Sequence, residues 1–81
     1  MAATKTAKPA TLPGLKRGAG RIEQGRVYSI AYDARTHEED GVIEAFWTGE
    51  IDIWGKATFR TINGGPTFYL FADEIVTADP Y

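Results

Sequence analysis

The chain has 81 residues, of which 43% are hydrophobic and 25% charged, with a formal net charge of −2. That length accommodates one small domain, because two would each fall below the size at which a hydrophobic core sustains itself. No apolar stretch approaches the ~20 residues of a bilayer helix. With no cysteine, there is no disulfide framework, thiolate nucleophile or iron–sulfur ligand set.

Charge and aromatic residues divide the sequence in two. Residues 1–26 carry Lys5, Lys8, Lys16, Arg17, Arg21 and Arg26 against the single acid Glu23, whereas residues 27–81 carry three basic residues against ten acids. All ten aromatic residues lie between Tyr28 and Tyr81. The first segment is Ala, Thr, Lys, Gly and Pro, with Leu12, Leu15 and Ile22 as its only larger aliphatics after Met1. Such a composition buries too little apolar surface to offset ~1–2 kcal/mol of backbone entropy per ordered residue. It therefore reads as an extended basic arm, flexible unless bound. No apolar run follows its lysines, so it is not read as a secretory signal. Together with the missing cysteines, this suits a reducing compartment: the cytoplasm, or a particle assembled there.

From Val27 the hydrophobic period is two. Tyr28, Ile30 and Tyr32 alternate with Val27, Ser29 and Ala31, which predicts a strand. Asp33 to Gly41 is polar and closes on Asp40-Gly41, as a loop does. Val42 to Trp47 predicts a second strand, bent at Thr48-Gly49, since Gly within a strand marks a bulge or kink. Glu50-Ile51-Asp52-Ile53 alternates again, placing both Ile on one face and both acids on the other. Trp54-Gly55-Lys56 reads as a tight turn, followed by a strand over Ala57 to Ile62. Asn63-Gly64 between two alternating runs predicts a hairpin turn requiring positive φ. Thr67 to Phe71 is the return strand, Ala72-Asp73-Glu74 one helical turn, and Ile75-Val76-Thr77 a short last strand.

The expected fold is all-β: a small SH3-like barrel of five to six strands, partly open, over residues 27–81 and preceded by the arm. An open, twisted sheet covered by the arm is the second choice. Phe46, Phe59, Phe68, Leu70, Ile51 and Ile53 form the expected core. Tyr28, Tyr32, Trp47, Trp54 and Tyr69 form the candidate contact surface, with at least one tryptophan expected to stay partly exposed.

The motifs that suggest chemistry are incomplete. Gly49 to Lys56 has the wrong spacing for a phosphate loop, Ala57 replaces its Ser or Thr, and a strand follows where a helix is needed. His37 beside Glu38, Glu39 and Asp40 lacks the convergent ligands of a zinc site. Glu50 and Asp52, ~6–7 Å apart along a strand, match a glycosidase pair in separation but have no cleft. Ser29 and His37 show no triad spacing. The reading is therefore non-catalytic, without cofactor, metal, membrane or small-molecule substrate.

Ile30-Ala31-Tyr32-Asp33-Ala34, followed by the acid-rich Arg35 to Asp40, resembles the A-L-Y-D-Y opening of signalling SH3 domains, whose acidic loop and aromatic shelf bind proline-rich peptides. Ala34 replaces the second tyrosine, the double tryptophan is absent, and Phe71-Ala72-Asp73-Glu74 stands where that family has a Pro-containing turn. By this resemblance Tyr32 lines a groove and Glu38 to Asp40 meet a basic peptide residue.

The basic arm itself fits two roles. Flexible cations neutralise phosphates, but a domain with ten acids repels them. An arm can instead lie along a protein and order there. The preferred reading is a structural or interaction protein whose arm docks on a protein partner or homo-assembly, in the manner of a virion decoration or connector subunit. Nucleic-acid binding is the second choice, and proline-rich-peptide binding the third.

Overall fold

The computed structural model describes residues 10–33 and 41–81. These form five antiparallel strands in one open sheet: β1 (Val27–Tyr32), β2 (Gly41–Ile51), β3 (Lys56–Thr61), β4 (Thr67–Phe71) and β5 (Ile75–Pro80), in spatial order β4-β3-β2-β1-β5. A single 3-10 turn over Ala72–Glu74 links β4 to β5. The strand spans lie within a few residues of those the alternation predicts.

One sheet face carries the core. Tyr28 and Ile30 of β1, Ala45 and Trp47 of β2, Ala57 and Phe59 of β3, Leu70 of β4, and Ile75 and Ala78 of β5 are all buried. The Tyr32 and Phe68 rings meet at 5.7 Å between centroids. They belong to β1 and β4, which lie three strand spacings apart, or ~14 Å in a flat sheet, so the sheet curls over this face. The Asp33 N–H donates to the Glu74 carbonyl at 2.8 Å, tying the end of β1 to the 3-10 turn.

Residues 10–26, read above as part of the arm, are packed on the sheet. Leu12, Ala19 and Ile22 are buried at 3%, 1% and 0% exposure and join the core. The segment folds back on itself, with Leu12 N–H donating to the Ile22 carbonyl and Gln24 N–H to the Ala10 carbonyl. It also bonds to both flanks of β1: Gly25 N–H reaches the Trp47 carbonyl on β2, and Ala78 N–H on β5 reaches the Ala19 carbonyl. Gly20 bridges Ala78 in parallel fashion at φ +100°, where a Cβ would lie 2.9 Å from the Ala78 carbonyl oxygen. The composition argument weighs the segment as an isolated chain; on the sheet, burial of Leu12 and Ile22, at ~1.5–3 kcal/mol for a large aliphatic, is joined by backbone hydrogen bonds to β2 and β5 that an isolated arm cannot make. Lys5 and Lys8 lie outside the described residues.

The expected core is corrected at two positions. Phe59 and Leu70 are fully buried and Phe68 and Phe46 partly so, but Ile51 is 44% and Ile53 89% exposed. The strand-to-strand register shifts between Trp47 and Ile51, where Gly49 sits at φ +98°. Ile51 still pairs with Ala57, on the parity of Trp47 and Phe59, but it is the last residue of β2, and Ile53 lies in the turn beyond it, so both stand where the strand pairing that covers the core ends.

Candidate protein-interaction surface

The β2–β3 hairpin is held by one aspartate. Asp52 N–H donates to the Lys56 carbonyl at 2.9 Å and Gly55 N–H to the Asp52 carbonyl at 3.0 Å. Asp52 Oδ1 also accepts from Trp54 N–H at 2.9 Å and Lys56 N–H at 2.8 Å. Gly55 takes φ +91°, the left-handed position that closes a three-residue hairpin loop. Every residue of the turn from Asp52 to Lys56 except Ile53 takes part in this network, and Ile53 and Trp54 are left at its tip, 89% and 71% exposed. The turn continues into a depression of about 520 Å³ lined by Gly49, Glu50, Ile51, Asp52 and Thr58. Tyr69, 48% exposed, faces Thr58 directly across β3 and β4. Ile51, Ile53, Trp54 and Tyr69 thus place exposed apolar surface on the tip and on the strands beside it.

The other predicted aromatic positions belong to the interior. Tyr28 and Trp47 are each 2% exposed, and both polar handles are used: the Tyr28 hydroxyl accepts from Glu23 N–H at 3.1 Å, and Trp47 Nε1–H donates to the Glu50 carbonyl at 3.0 Å. Tyr32 is half-buried against Phe68. The two tryptophans separate by strand parity: Trp47 shares the inner face with Ala45, whereas Trp54 stands in the turn. Ile53, exposed at the tip, is a residue that alternation assigned to the core, and the Asp-x-x-Gly spacing of Asp52 and Gly55 is the sequence signal that marks it as a turn position.

Four basic residues of the predicted arm are described. Lys16 Nζ lies 3.7 Å from Asp33 Oδ2 and Arg21 Nε 3.9 Å from Glu23 Oε2, both at the surface, where such pairs contribute ~0–1 kcal/mol. Arg26 stands over the Tyr28 ring, its Cζ 5.7 Å from the centroid. Arg17 is exposed. His37 and Glu38 to Asp40 lie outside the described residues. Ser29 is half-buried on β1 opposite Glu44 and Asp79, and Glu50 is exposed while Asp52 is spent in the turn. Among the described residues no group of three or more His, Cys, Asp or Glu could hold a metal ion, and no helix is long and apolar enough to cross a membrane. Comparison of the chain with protein-family models, curated proteins and solved structures finds no match.

Proposed function

We propose that this chain is a non-catalytic interaction protein, a small SH3-like barrel that docks on a larger protein assembly. The observation that carries the proposal is the Asp52-held hairpin with Ile53 and Trp54 in water. Exposed side chains of this size contribute little to folding. A turn already fixed by four hydrogen bonds loses little conformational freedom when its tip enters a partner's pocket, which favours affinity. The curl of the sheet and the succession of β4, a single 3-10 turn and β5 support the SH3-like architecture. A virion decoration or connector subunit is an assembly of this kind. In this reading the basic residues steer the approach, chiefly the exposed Arg17 together with Lys5 and Lys8.

A photo-crosslinking amino acid at position 54, introduced in the native host, should yield a discrete protein adduct. The adduct should be absent when the label is at the exposed Asp79 and weakened by Ile53→Ser. A ladder of nucleic-acid adducts, or sub-micromolar oligonucleotide binding at ~0.15 M salt that falls steeply with salt, would instead establish the nucleic-acid reading.

A further inference from the structure

We propose that β4 is a docking edge for a second copy of the same chain, paired antiparallel β4 to β4 about a two-fold axis at Phe68. β4 ends the sheet, with β3 as its only strand partner among the described residues. Two observations fix which of its backbone groups face outward. On β3, Ile62 N–H donates to the Glu44 carbonyl of β2, and Lys56 exchanges hydrogen bonds with Asp52. Even-numbered residues of β3 therefore bond toward β2, and Ala57, Phe59 and Thr61 toward β4. By register, Leu70 and Phe68 of β4 complete those pairs, leaving the N–H and C=O of Thr67 and Tyr69 outward. The second observation agrees: Phe71 N–H, of the same parity, donates to Glu74 Oε1 at 2.8 Å.

The edge is bounded on both sides. At one end the buried Glu74 carboxylate holds Phe71 N–H, and at the other Gly65 N–H donates to Asn63 Oδ1 at 3.2 Å. Between them Thr67 and Tyr69 are exposed. The strand Thr-Phe-Tyr-Leu-Phe carries no charge and no proline, so it lacks the lysines and breakers that blunt edge strands. Its neutrality also selects the partner. A second β4 meets it without like-charge repulsion, although both copies carry the same net charge.

Among the antiparallel registers with two-fold symmetry, those that bring Gly65 or Phe71 opposite an outward residue meet an N–H already committed to Asn63 or Glu74. Centring on Tyr69 would set Thr67 opposite Phe71 of the other copy, whose N–H is already committed to Glu74. Centring on Phe68 pairs Thr67 of each copy with Tyr69 of the other, forming four N–H···O=C bonds from the two outward residues alone. Phe68 then faces its own copy in the closer, non-hydrogen-bonded position, where aromatic pairs interact.

Sedimentation of the full chain from micromolar to millimolar concentration should show reversible dimerisation. Tyr69→Pro removes only an outward N–H, a position an edge strand tolerates, and should weaken the dimer at least ~10-fold by deleting two of the four bonds. Because the chain has no cysteine, the register can be read directly. Mixed Thr67→Cys and Tyr69→Cys chains should form a heterodisulfide faster than either variant forms a homodisulfide. This second measurement decides the matter if Tyr69→Pro unfolds. A wild-type chain monomeric to ~1 mM, a dimer indifferent to Tyr69→Pro with its dichroism intact, or preferential Tyr69→Cys homodisulfides would overturn the proposal.

Discussion

Ile22→Ala tests whether the N-terminal segment belongs to the fold. Ile22 is fully buried and sits beside Leu12 in the core cluster, while its carbonyl accepts from Leu12 N–H at 2.9 Å. Truncating a fully buried Ile to Ala costs about 2–5 kcal/mol, the spread reflecting how far the site collapses. At ~0.05–0.15 kcal/mol per residue, a domain of this size has a total stability of only ~4–12 kcal/mol, so the variant should lose a large share of it. The midpoint of thermal unfolding should drop by ~10 °C or more, at about 4–8 °C per kcal/mol. Urea denaturation followed by tryptophan emission measures the change, since Trp47 is buried in the same core. Arg17→Ala, on the exposed part of the segment, is the control and should shift stability by less than ~0.5 kcal/mol. If Ile22→Ala were as neutral as that control, the segment would be an appendage and the packing described above would not exist in solution.

Gly20→Ala should destabilise by more than ~1 kcal/mol in the same assay, because the added Cβ meets the Ala78 carbonyl at 2.9 Å at a φ that L residues avoid; an unchanged midpoint would contradict the Gly20–Ala78 bridge. Asp52→Ala deprives the Trp54 and Lys56 amides of their acceptor and should cost ~1–3 kcal/mol; in the hydrogen-exchange profile, these amides should lose protection while β1 keeps its own. Trp54→Ala should leave stability within ~0.5 kcal/mol and remove the acrylamide-quenchable part of the emission, leaving a blue-shifted residue from Trp47. The opposite pattern, quenching retained and stability lost, would mean the two tryptophans had been assigned the wrong way round.

The strands were legible because each rests on local information. Alternation located β1, β3 and β4 almost residue for residue, Asn63-Gly64 marked the hairpin with Gly64 at φ +80°, and Ala72–Glu74 is the single turn that was expected. Gly49 signalled the break in β2. What period-two reading cannot supply is where the strand ends: Ile51 is the last residue of β2 and Ile53 lies in the turn, so alternation carried past the end of the strand assigns exposed residues to the core. The packing of residues 10–26 was illegible for a different reason. Leu12, Ala19 and Ile22 have no helical or strand period, and the segment's backbone partners on the sheet, Trp47 of β2 and Ala78 of β5, lie far away in sequence. For the candidate site, composition nominated the aromatic residues but could not sort Trp47 from Trp54, which depends on one being in a strand and the other in a turn.

The Gly20–Ala78 bridge joins positions 58 residues apart, which imposes an order on synthesis. The segment bearing Leu12 and Ile22 leaves the ribosome well before β5, the strand that completes its docking. At about 5–20 residues per second, the two are separated by roughly 3–12 s, long compared with the microseconds in which a hairpin forms. During that interval the early apolar side chains have no finished core to enter, and the hairpins of β2, β3 and β4 can form behind them. Docking of this segment thus waits for β5, and a truncation that removes β5 would leave residues 19 and 20 without their backbone partner.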